Sequence, residues 1–123
     1  MFKKKSELSY RKLLDGVNMA TMVHGKKTLM ARFKLEKGCA IPDHSHPHEQ
    51  TGQLLSGRMV FTVDGTEHEV VPGDSWCIGS NVPHSTRAVD DSVAVEMCSP
   101  VRARLSGVIR IQRIQGPEIS SKR

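Results

Sequence analysis

The sequence predicts an all-β fold, an antiparallel sandwich or barrel, and three observations carry that expectation. Short stretches alternate apolar and polar side chains with a period of two. Gly, Pro and Asp recur between them at turn-like spacing. A helical period of 3.6 is almost absent after residue 16.

Taken in order, residues 1–16 are basic and polar, with one candidate helical turn through Leu8, Leu13 and Leu14 that stops near Gly16. Strands are expected from Val17 onward. Thr28–Leu35 sets Leu29, Ala31, Phe33 and Leu35 against Met30, Arg32 and Lys34 and ends at Lys37-Gly38. Gln50–Leu55 runs into Ser56-Gly57, read as a turn. Arg58–Val63 follows and meets Asp64-Gly65, a strong two-residue hairpin signal. Thr66–Val71 ends at Pro72-Gly73-Asp74. Ser75–Ile78, His84–Val89 and Val93–Cys98 complete the set, with Asp90-Asp91 as a turn. Val108–Ile114 is a candidate last strand before a polar tail.

The 123 residues suit one domain, and only five are aromatic, so Val, Ile, Leu and Met must form most of the core. Cys39, Cys77 and Cys98 are an odd number without a close pair, which fits reduced thiols rather than a disulfide framework. No apolar run approaches the roughly 20 residues needed to span a bilayer. Lys3–Lys5 is not followed by the apolar stretch of a secretory signal. A soluble cytoplasmic protein, without a membrane partner, is expected. The net charge is +5, yet between Gly38 and Pro100 only Arg58 and Arg87 stand against nine acidic residues. The positive excess therefore lies at the two ends, without interleaved aromatics to stack bases, so no nucleic-acid partner is expected.

The chemistry concentrates between residues 44 and 84. His44 and His46 are two apart, so on a strand both rings project from one face. Gln50 shares their parity, and His84 follows Pro83 about three strands later. Three imidazoles and an amide oxygen are a candidate four-point cage for one divalent transition metal, with positions left for water or substrate. Mn, Fe, Ni, Co and Zn all accept such ligands. All four donors are neutral, so the ion would keep its full charge and act as a stronger Lewis acid than beside a ligating carboxylate. By alternation Met59, Phe61, Val63, Trp76 or Cys77, and Met97 share the interior face and are candidate pocket-lining residues. Glu49 should point outward. Arg102 is a weak candidate catalytic residue, able to clamp a carboxylate.

These residues resemble the two motifs of the cupin superfamily. Its first motif is usually Gly, five residues, His-x-His, three or four residues, Glu, six residues and Gly. Gly38, His44, His46, Gln50 and Gly57 keep every spacing, with Gln in place of Glu. The second motif is looser here: Gly65, then Pro72-Gly73-Asp74, with His84 in the metal-ligand slot. The resemblance implies a single double-stranded β-helix, or jelly-roll, antiparallel barrel over 17–105. A basic N-terminal segment, 1–16, would precede it, and a C-terminal strand or tail, 106–123, would follow.

Within that superfamily the sequence is most similar to the pectin-degradation, uronate-linearising group. The similarity rests on His44-Ser45-His46-Pro47-His48-Glu49-Gln50, Gly73-Asp74-Ser75, Asn81-Val82-Pro83-His84 and Ser99-Pro100-Val101-Arg102. It implies metal ligation by His44, His46, Gln50 and His84. That group also uses an acidic residue just after its Ser-Pro-x-Arg segment, where Ala103 and Arg104 stand here. The expected function is a Lewis-acid metalloenzyme, of isomerase, tautomerase or lyase type, on a small carbonyl or sugar-acid compound. A metal-dependent dioxygenase and a non-catalytic ligand-binding module are the alternatives. Small cupins commonly pair, so a homodimer is expected, with Leu55 and Val60 on its outward face.

Overall fold

The computed structural model describes residues 1–99. After a short 3-10 turn, Lys5–Glu7, come eight strands. They are β1 (Arg11–Leu14), β2 (Val17–His24), β3 (Leu29–Leu35), β4 (Ala40–His44), β5 (Glu49–Val63), β6 (Thr66–Val70), β7 (Ser75–Ile78) and β8 (His84–Ser99). Every pairing is antiparallel, as the alternation predicts. The helical turn expected through Leu8, Leu13 and Leu14 is divided instead. Leu13 lies on β1 and buries itself beside Val17 and Met19 of β2.

The ladder runs β1-β2-β3-β8-β5-β6, with β4 on the first half of β8 and β7 on the first half of β5. Two long strands organise it. The start of β5 pairs with β7 and its end with β6, while the start of β8 pairs with β4 and its end with β3. Each long strand therefore serves two halves of the sandwich, and β5 and β8 pair with each other along their whole length.

The two expected turns at Ser56-Gly57 and Asp90-Asp91 are bends within continuous strands. The register shifts between Leu54 and Met59, where Gly57 adopts φ +94. Such a bulge re-aims a strand without ending it. Ser92 closes the irregularity: its buried hydroxyl accepts the Arg58 N–H at 3.1 Å and donates to the Asp90 carbonyl at 2.8 Å. Asp64-Gly65 does form the expected two-residue hairpin, with both residues at positive φ and Val63 facing Thr66.

Two apolar clusters fill the interior. One gathers Val17, Met19, Leu29, Ala31 and Leu35, with Phe33 and Ile41 packed on it. The other gathers Leu54, Met59, Phe61, Val70, Ile78 and Ala94, with Trp76 against it. Leu54 is fully buried, worth about 1.5–3 kcal/mol for such a side chain. Val60, expected on the outward face, is buried, whereas Leu55 is exposed as expected. No helix among the described residues is long and apolar enough to cross a membrane. Arg102, Ala103, Arg104, the 108–114 segment and the tail lie outside the described residues.

Candidate metal centre

Four segments converge at one end of the sandwich. His44 is the last residue of β4, His46 stands in the link to β5, Gln50 is the second residue of β5, and His84 opens β8. His44 and His84 are cross-strand partners with ring centroids 4.3 Å apart. The His46 ring lies edge-on to His84 at 5.3 Å. The Asn81 N–H, on a residue at φ 62, donates to the His46 carbonyl at 2.7 Å and joins the two loops.

All three imidazoles are buried, and each offers one ligand atom within 4.8 Å of the others. Their tautomers follow from their partners. The Nδ1 atoms donate to backbone carbonyls: His44 to Pro42 at 2.8 Å, His46 to His48 at 3.1 Å, and His84 to Val82 at 2.9 Å. A carbonyl only accepts, so each Nδ1 carries the hydrogen and each neutral ring presents its Nε2 lone pair. His48 contributes this carbonyl and is itself buried.

A metal fits these residues. His46 Nε2 is the one buried side-chain polar atom, among the described residues, with no hydrogen-bond partner. Such an orphan costs about 1–3 kcal/mol unless something binds it. Gln50 stands close enough to His46 to favour its protonated form, but outside hydrogen-bonding geometry.

Gln50 and the histidines His44 and His84 open onto a small cavity of about 40 Å³. Met59 and Phe61 line it, as does Trp76; Phe33, Leu35 and Ile41 extend its apolar wall. Cys77 is exposed on the opposite parity. Met97 must be corrected. It pairs with Thr51, is 41% exposed, and lies over an outer groove with Thr51, Gln53 and Val95. The inward set of β8 is Ala94, Glu96 and Cys98, because these pair with Leu54, Gly52 and Gln50. Glu49 points outward and is exposed, as parity suggested.

Glu96 is therefore a site residue that sequence alternation conceals. It lines the cavity and through Oε2 accepts the Gln50 Nε2–H at 2.7 Å and the Trp76 Nε1–H at 2.8 Å. The available signal was small: a Glu at the parity of Ala94 and Cys98 is inconspicuous between Val93, Val95 and Met97.

Burial moves the titrations in opposite directions. His46 is held below its usual range by desolvation and the neighbouring His84, against Gln50 and the His48 carbonyl. His84 is lowered by desolvation, opposed by its Val82 bond and Asp43. Glu96 is pushed up to about 7 by desolvation, against its bonds from Trp76 and Gln50. The metal-free folded protein thus holds the Glu96 proton more tightly than the unfolded chain, whose usual value is 4.5. Stability is untouched by this group at low pH and declines as pH rises from 4.5 to about 7. Metal-free Glu96→Gln is accordingly expected to match the parent at pH 4 and exceed it at pH 8, by up to about 3 kcal/mol. Urea unfolding at the two pH values checks this, and equal stabilities at both would contradict it.

The comparisons agree with this architecture. Over 75 residues the chain is 38% identical to the HTH-type transcriptional regulator PuuR of Escherichia coli (strain K12), covering 58% of this chain and 40% of that protein. Over 82 residues it is 33% identical to quercetin 2,3-dioxygenase of Bacillus subtilis (strain 168), covering 62% of this chain and 24% of that one. The chain thus spans well under half the length of either relative. The structure of KdgF from Halomonas sp. superposes with a TM-score of 0.81 at 21% identity, over 85% of this chain and 97% of that one, a likeness of fold. A family model described as a cupin domain matches residues 31–100, a stretch that holds all four candidate ligands and Glu96, and the chain belongs to the cupin family.

Proposed function

We propose that this cupin is a metal-dependent enzyme that rearranges or eliminates on a small oxygenated molecule, of the carbonyl or sugar-acid class. One observation carries the reading: three Nε2-presenting imidazoles cluster beside an apolar cavity that His44 and His84 line together with the carboxyl group of Glu96. His44, His46, His84 and the Gln50 amide oxygen would hold the ion. Bound there, a divalent ion supplies Lewis-acid polarisation of a carbonyl or hydroxyl oxygen. Phe61, Met59 and Trp76 exclude water and pack the carbon skeleton. Glu96 takes or returns a proton at Oε1 while Oε2 stays bound by Gln50 and Trp76. Its placement supplies the acid that Ala103 and Arg104 do not.

Elemental analysis of the untreated protein is expected to find one divalent transition ion per chain. Metal-loaded protein incubated with unsaturated uronates and keto-acids is then expected to turn over at least one of them. An absence of turnover across the panel, with metal bound, would overturn the enzyme reading. Oxygen uptake with aromatic or diketone substrates would instead point to dioxygenase chemistry.

The likeness to PuuR favours a second reading, a ligand-binding module that senses rather than converts. Saturable binding of a panel member without conversion would favour it.

A further inference from the structure

We propose that Glu96 is the positioning residue for Gln50, holding its amide nitrogen so that the amide oxygen turns toward the three imidazoles. The inference rests on the metal-site reading above. An amide has a donor end and an acceptor end, and only the oxygen can ligate a cation. Nothing in a free Gln side chain prevents the opposite orientation, which would aim an NH2 group at the ion. An ionised carboxylate accepts and does not donate, and Oε2 already accepts the Trp76 N–H, so the 2.7 Å contact from Gln50 to Glu96 Oε2 takes the NH2 end of the amide.

Glu96 is in turn fixed from the far side. Indole nitrogen only donates, and Trp76 Nε1 reaches the same oxygen at 2.8 Å. This requires a side chain on β7 to cross β5 and meet β8, since Trp76, Gly52 and Glu96 stand in one cross-strand row. Gly52 makes the crossing possible. A Cβ there would come within 2.5–2.6 Å of the indole, Nε1 included. A glycine inside a strand commonly marks such a close approach, and here the approach ends on the residue that holds the candidate ligand.

The arrangement also explains how this chain accommodates Gln where the first cupin motif usually has Glu. The carboxyl group stands one hydrogen bond outside the cage, where it supports the amide without occupying a coordination position. Partners placed like this commonly alter metal affinity 10–100-fold.

The test is a double-mutant cycle on the full chain with Co(II) as probe, read by calorimetry and by the visible Co(II) spectrum. Glu96→Leu is expected to weaken Co(II) binding by about 10–100-fold and to shift the spectrum toward that of Gln50→Ala. In the Gln50→Ala background Glu96→Leu is expected to have no further effect, because its influence runs through Gln50. An equal loss in both backgrounds, or no loss in the parent, would overturn the proposal. Should Glu96→Leu not fold, the same cycle is run with Glu96→Met, which keeps the length and removes the acceptor oxygen. A parent that binds no Co(II) refutes the metal site itself. A parent that binds it with an additive cycle refutes only the role of Glu96.

Discussion

Alanine in place of Gly57 is expected to destabilise the protein by roughly 2–6 kcal/mol, among the largest losses available to a one-atom addition. Two costs add. Gly57 sits at φ +94, a conformation that L side chains rarely adopt, costing about 1–3 kcal/mol. A Cβ there would also overlap the Asp91 carbonyl oxygen and Ser92, on the strand whose hydroxyl closes the bulge. Overpacking of that kind costs about 1–3 kcal/mol more. Gly73→Ala is the control: its φ of +97 is equally strained, but a Cβ would meet nothing within 4 Å. Only the backbone cost should then appear, about 1–3 kcal/mol. Urea unfolding of the two variants checks the contrast, and equal losses would show that the contact with β8 is immaterial. The site should feel the change as well, because Gln50 lies on β5 while His84 and Glu96 lie on β8.

That bulge also shows what can be read from the sequence and what cannot. The Asp64-Gly65 hairpin was legible because a two-residue turn is a local matter, decided by which residues tolerate positive φ. Ser56-Gly57 and Asp90-Asp91 carry the same turn chemistry, yet the chain continues as strand through both. The difference lies in pairing: β5 and β8 bend together and remain each other's neighbour, a long-range fact with no local signature. His44, His46, Gln50 and His84 could be picked out because their spacing is short or tied to motif glycines. Glu96 could not. In β8 the larger apolar residues Val95 and Met97 face outward, while Ala94, Glu96 and Cys98 face in. Alternation assigns the oily set to the interior and so inverts this strand. Only register against Gln50 and Gly52 restores the true parity.

Removing the His46 imidazole is expected to weaken Co(II) binding by about a thousandfold, well beyond the 10–100-fold lost with a partner outside the coordination sphere. Its Nε2 is buried without a partner in the metal-free protein, so the folded state already bears the desolvation that binding relieves. In the parent, metal at about a thousand times Kd should add about 4 kcal/mol of stability. His46→Ala should lose that increment while its metal-free form stays folded, since the orphaned atom goes with the ring. The pH dependence supplies an independent sign. Burial holds His46 and His84 below their usual value of 6.5, so the unfolded chain binds protons more readily than the folded one. Their contribution to metal-free stability is therefore unfavourable in acid, improves as pH rises, and is complete above about 6.5. His46→Ala should shallow that rise by removing one of the two groups. Protons compete for the same Nε2 lone pairs, so metal affinity in the parent should fall between pH 7.5 and 5.5. Thermal melts of parent and variant, with and without Co(II) at both pH values, test all of this. A parent whose melting point ignores the metal, or a variant that still gains the full shift, would show that the orphaned nitrogen is not a ligand.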